Sequence, residues 1–106
     1  MNDILANLAA TIKARRTAQA DASYTRQLLD AGTERCARKF GEEAIEAVIA
    51  AVSQSKDELT AEAADVLYHL LVLLEARDVN FADVLAKLEQ RTANSGIVEK
   101  AARSKS

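Results

Sequence analysis

Apolar residues along this chain recur at intervals of three and four, the period of a helix with one buried face. Ile4, Leu5, Leu8 and Ile12 predict a first helix over about 3–17. The segment Asp21-Ala22-Ser23-Tyr24-Thr25 reads as a loop with capping residues. A short helix carrying Leu28 and Leu29 should stop at Gly32, whose missing Cβ suits a left-handed cap. Thr33 and Glu34 open a long helix over 33–53, with the apolar stripe Ile45, Val48, Ile49, Val52. Ser53-Gln54-Ser55-Lys56-Asp57 reads as the turn of a helical hairpin, followed by a second long helix over about 58–76. Asn80 caps a fifth helix over about 81–90, and the tail 91–106 holds a break at Asn94-Ser95-Gly96 and a short basic stretch.

The second long helix changes the picture. Its run from Val66 to Leu74 is apolar on every side, so it has to be buried on every side. A chain of 106 residues has few helices with which to wrap it. Burial against a second copy is the simplest solution, which predicts a homo-oligomer, in the first place a dimer. The expected fold is therefore all-α: a helical bundle built on a long antiparallel hairpin and completed by homo-oligomerisation.

Composition agrees. The chain has no proline and three glycines, and it is rich in the strong helix formers. Its length suits a single domain spanning 1–106. The net charge of −2 gives no reason to expect nucleic acid or a membrane surface as partner. The longest apolar run, interrupted by His69, is far too short to span a bilayer. One cysteine, Cys36, cannot form an intrachain disulfide, and no secretory signal opens the chain. A cytoplasmic protein is the expectation.

The candidate chemistry lies in five acids. Glu42, Glu43 and Glu46 fall within an arc of about 100° on the first long helix, beside its apolar stripe. Glu62 and Asp65 share a face at i, i+3 on the second, with His69 one turn further on. Folding the two helices antiparallel brings Asp65 level with Glu46, and His69 level with Glu42 and Glu43. Carboxylates converging beside a core repel unless a cation holds them. All-oxygen ligands suit Mg²⁺, with Mn²⁺ as the alternative, and such an ion binds phosphate oxygens and activates water. The plainer reading is a solvated acidic face laced by pairs such as Lys39 and Glu43 at i, i+4. The position of Glu62 and Asp65, opening the most apolar helix of the chain, weighs against it.

Glu43-x-x-Glu46, fifteen intervening residues, and Glu62-x-x-Asp65 together resemble the ExxE…ExxD signature of the all-α nucleotide pyrophosphohydrolase superfamily. The surrounding words are more specific. Ser23-Tyr24-Thr25, Lys39-Phe40-Gly41-Glu42-Glu43-Ala44-x-Glu46, Glu62-Ala63-Ala64-Asp65-Val66-Leu67-Tyr68-His69-Leu70-Leu71-Val72-Leu73-Leu74, and Ser95-Gly96-x-x-Glu99-Lys100-Ala101-x-Arg103 resemble the phosphoribosyl-ATP pyrophosphatase family, in order and over nearly the whole chain. The resemblance implies Mg²⁺-dependent hydrolysis of phosphoribosyl-ATP to phosphoribosyl-AMP and pyrophosphate, the second step of histidine biosynthesis, by a monofunctional protein. Asp78 departs from the pattern, which has a glycine ending the helix there.

On this reading Glu42, Glu43, Glu46, Glu62 and Asp65 are the catalytic and metal-holding set, one of them a general base. Lys39, Tyr24, Arg91, Lys100 and Arg103 are the candidate substrate contacts. The plainer alternatives are an ordinary salt bridge for Lys39, capping or packing for Tyr24, and a frayed terminus for Arg91, Lys100 and Arg103. His69 reads as a hydrogen-bonded core histidine, Tyr68 as core or interface with its hydroxyl partnered, and Cys36 as a small buried hydrophobe. Two rivals remain in view, and a third, the last below, is set aside. A pyrophosphohydrolase of another (deoxy)nucleoside triphosphate would carry the same acids. A helical interaction module would have no use for Glu62 and Asp65. A carboxylate-bridged di-iron bundle needs Glu-x-x-His on two helices, and the single histidine is preceded at i−3 by Val66.

Overall fold

In a computed structural model, residues 3–17 and 23–93 are described. Among them the chain is all-helical. Helix α1 spans Ile4–Ala14 and tightens into a 3₁₀ turn, Arg15–Thr17. Then come α2 (Tyr24–Ala31), α3 (Thr33–Ser53), α4 (Lys56–Ala76) and α5 (Phe81–Ala93). No helix among the described residues is long and apolar enough to cross a membrane.

Local hydrogen bonds explain where the boundaries differ from the sequence reading. The loop expected through Thr25 ends sooner. Ser23, extended and buried, accepts the Arg26 N–H at 3.1 Å, so Tyr24 is the first residue of α2 rather than a loop residue. Helix α4 begins at Lys56, two residues before the expected start. Ser55 forms a capping box: its hydroxyl accepts the Glu58 N–H at 3.1 Å, and its own N–H donates to Glu58 Oε1 at 3.3 Å. Helix α5 continues past Gln90, which puts Arg91 in its last turn and not in a tail. The expected break at 94–96 and the basic stretch holding Lys100 and Arg103 lie outside the described residues.

Two backbone positions set corners. Gly32 closes α2 and opens α3 with φ 102° and ψ 172°, a conformation that only glycine takes readily. Asp78, at the end of α4, has φ 61°, the left-handed conformation for which glycine is the usual choice. Its carboxylate makes good use of the position, accepting from Arg16 Nη2 at 3.0 Å. Arg16 also pairs with the Glu75 carboxylate and carbonyl, so one guanidinium ties the end of α1 to the end of α4.

The core is small and placed where α1, α2, α3 and α4 meet. Ile12, Leu28, Cys36, Leu71 and Val72 form it, with Leu8, Leu29, Tyr68 and Phe81 packed around. The Cys36 thiol donates to the Leu28 carbonyl at 3.2 Å, and burial pushes its pKa up, so it is a packing residue and not a nucleophile. The longest packed pair is α3 with α4, joined through Gln54 and Ser55 alone. In the single chain the apolar run of α4 is not buried all round, as expected above. His69, Leu71 and Val72 are buried, whereas Leu67 is exposed, because α1, α2 and α3 cover only part of its circumference.

The capping box predicts that Ser55→Ala shortens α4 at its start. A urea titration should give a stability loss of about 1 kcal/mol with an unchanged slope. No loss would mean that the link between α3 and α4 is set by packing alone.

Candidate metal and phosphate site

Helical periodicity puts Glu43 and Glu46 on one face of α3, and Glu62 and Asp65 on one face of α4. The packing of the two helices turns these faces together. One oxygen each from Glu43, Glu62 and Asp65 lies within 4.8 Å of the others. Glu46, three residues on from Glu43 along α3, is close enough to raise the Glu43 pKa. Glu42 does not converge. Its side chain is 54% exposed, against 14% for Glu43, and it stays beside Lys39 Nζ at 3.6 Å. Lys39 Nζ also stands 4.0 Å from Glu43 Oε1, so the i, i+4 pair read from the spacing exists, at the margin of the site.

The charges bear on one another. The Glu43 pKa is raised above the ordinary 4.5, first by its hydrogen bond with Glu46, then by burial and by the charges of Glu46 and Asp65, with Lys39 opposing. The Glu62 pKa is raised too, by desolvation first and then by Glu46 and Asp65. Two acids that hold their protons too tightly beside two further acids mark a place short of positive charge. A hard cation with oxygen ligands answers that shortage, and the donor set fits Mg²⁺ or Mn²⁺.

Behind the acids lies His69, 6% exposed. Its Nε2 stands 3.8 Å from Glu43 Oε1, longer than a hydrogen bond. Its ring is T-shaped to Tyr68, with centroids 5.0 Å apart, and to Tyr24 at 6.3 Å. Burial and then Lys39 lower its pKa, against the opposing charges of Asp65 and Glu42. The Tyr68 hydroxyl meets Thr25 Oγ1, which ties the start of α2 to α4. Periodicity along α4 anticipated His69 beside the acids. It held no sign that Tyr24, from a separate helix, would close over it.

Arg91, exposed in the last turn of α5, belongs to a helix whose packed neighbour is α1. A cavity of about 240 Å³ between α1, α4 and α5 is lined chiefly by apolar side chains, among them Ala9, Leu71, Leu74 and Phe81, and contains none of the five acids.

Comparison with known proteins bears on the same residues. Residues 5–92 match the family described as phosphoribosyl-ATP pyrophosphohydrolase, a span that takes in all five acids, Tyr24, Lys39 and Arg91. A phosphoribosyl-ATP pyrophosphatase of Dinoroseobacter shibae is 61% identical over 100 residues, covering 94% of this chain and 98% of the relative. One of Ruegeria pomeroyi is 60% identical over 102 residues, covering 96% and 97%. One of Nitrobacter hamburgensis is 57% identical over 99 residues, covering 93% and 92%.

The raised carboxyl pKa values set a pH dependence. A carboxyl group with a folded-state pKa above its unfolded value favours the folded state when protonated, and this advantage is lost as pH rises through the window. The melting temperature of EDTA-treated protein should therefore fall as pH rises upward from the ordinary glutamate value of 4.5. Glu62→Gln should flatten that slope and raise the melting temperature near neutral pH. An unaltered slope in Glu62→Gln would show that the acids do not strain one another.

Proposed function

The chain belongs to the phosphoribosyl-ATP pyrophosphohydrolase family, and on that premise we propose that it hydrolyses phosphoribosyl-ATP to phosphoribosyl-AMP and pyrophosphate, the second step of histidine biosynthesis, with Mg²⁺. The observation that carries this reading is the convergence of Glu43, Glu62 and Asp65, with Glu46 beside Glu43, at the meeting of two long helices. Lys39 stands at the margin of these acids, 4.0 Å from Glu43.

Glu43, Glu62 and Asp65 would hold the cation, with Glu46 and Glu42 completing its surroundings directly or through water. When bound, the cation supplies charge neutralisation for the phosphate chain and acidifies water. The protein's own residues do the rest. One carboxylate of the set takes the proton from the attacking water, while one phosphoric anhydride bond breaks and pyrophosphate leaves. Glu46 is the candidate for this role, an acid of the same face that lies outside the three whose oxygens converge. Lys39, beside Glu42 and Glu43, is positioned to meet phosphate oxygens once the cation has taken over the acids. Tyr24, Arg91, Lys100 and Arg103 are the remaining substrate contacts of this reading.

The reading includes a second copy of the chain. Ile45, Val48, Ile49 and Val52 recur at i, i+3, i+4 and i+7 on α3, and are 62%, 62%, 46% and 79% exposed. Fully burying one such side chain contributes roughly 1.5–3 kcal/mol. A second chain laid on this stripe, beside the exposed Leu67 of α4, would cover what a lone chain leaves in water.

Purified protein with Mg²⁺ should release pyrophosphate from phosphoribosyl-ATP, and EDTA should abolish the release. Release from a deoxynucleoside triphosphate instead would keep the acids and discard the substrate. No release from any nucleotide would favour a helical interaction module. Glu46→Ala should stay folded, alanine being the better helix former, and lose turnover by two orders of magnitude or more, on the order expected for a general base. Light scattering should give a dimer for the natural chain and a monomer for Val48→Glu, whereas a monomeric natural chain would end the oligomer reading.

A further inference from the structure

Three consecutive residues at the start of α2 are fixed by three separate contacts. Ser23 caps the helix, Thr25 meets the Tyr68 hydroxyl, and the ring of Tyr24 packs T-shaped on His69 at an interplanar angle of 89°. His69 is held in turn against Tyr68. Tyr24 is nonetheless 52% exposed. A T-shaped contact takes the edge of one ring and one face of the other, so at least one face of the Tyr24 ring lies outside it. The result is an anchored aromatic residue that is still half open to solvent.

Its place relative to the acids gives that ring a use. His69 packs on Tyr24 and also approaches Glu43 at 3.8 Å. The aromatic ring and the acid cluster therefore share a single imidazole as neighbour. A nucleotide carries its base and its phosphate chain on opposite sides of one ribose. With the phosphate chain at Glu43, Glu62 and Asp65, the base falls in the neighbourhood of Tyr24. Aromatic side chains accept bases by stacking, face to face, and this needs no hydrogen-bond code.

We propose that Tyr24 is the stacking platform for the purine ring of the substrate, the residue by which this site prefers nucleotides to base-free polyphosphates. This rests on the pyrophosphohydrolase reading above and adds which part of the substrate the ring receives. His69 acts through Tyr24, as the buried support on which the ring leans.

The test compares two magnesium-bound probes by calorimetric titration of the full chain: a non-hydrolysable ATP analogue and inorganic tripolyphosphate. Tyr24→Leu should weaken the ATP analogue by roughly 5- to 100-fold, the range for loss of one base stack, and leave tripolyphosphate unchanged. Tyr24→Phe keeps the ring and should restore most of the lost affinity. Equal weakening of both probes by Tyr24→Leu, or a Tyr24→Phe variant as weak as Tyr24→Leu, overturns the proposal, the latter by assigning the effect to the hydroxyl. If Tyr24→Leu does not fold, Tyr24→Trp offers a larger face and should tighten the analogue alone; weaker or equal binding overturns the proposal. Natural protein that binds neither probe brings down the metal and phosphate site itself. Binding of both probes with equal affinity removes only the stacking platform.

Discussion

Like charges are brought together in this protein by apolar packing, and much of its architecture follows from that opposition. Two 21-residue helices, α3 and α4, lie against each other along the longest contact in the chain. The packing that holds them also carries Glu43, Glu46, Glu62 and Asp65 to one place. The cost is visible in the raised proton affinity of Glu43 and Glu62. A protein selected for stability alone would have no reason to accept it. A protein that meets a cation and a phosphate chain there recovers the cost on binding, since the same interactions then work in favour of the bound state.

The rest of the fold resists that repulsion at both ends of the helix pair. At one end, two residues connect α3 to α4 and the Ser55–Glu58 capping box starts α4 cleanly. At the other, Arg16 gathers Glu75 and Asp78, and Thr25 ties α2 to Tyr68. Between them the buried cluster of Ile12, Leu28, Cys36, Leu71 and Val72 fixes how far α3 and α4 turn about their axes. The acids thus stand beside the core on rigid elements, the arrangement a site needs if its ligands are to keep their geometry.

The two faces of α3 divide the labour. The acids and Lys39 occupy one, and Ile45, Val48, Ile49 and Val52 the other, left in water by the single chain. An isolated copy of this chain has too little core to cover both long helices. A partner laid on the apolar face would stiffen the same helix that carries Glu43 and Glu46, and so couple assembly to the geometry of the site.

Much of this was legible in the sequence because helices and their faces are local. A period of three to four residues, a Ser before a Glu at i+3, and a glycine between two apolar runs each act over a single turn. They determined the helices and an acidic face with five candidate acids, Glu42 among them, and the motif words pointed to the family. What the tertiary structure decided were the events between distant segments. Glu42 and Glu43 share an arc, and only the rotation imposed by the core turns Glu43 inward and leaves Glu42 in solvent. The closure of Tyr24 over His69 and the grip of Arg16 on Glu75 and Asp78 join residues more than forty positions apart. No local pattern encodes such meetings, because they depend on how whole helices settle against one another once their apolar faces are buried.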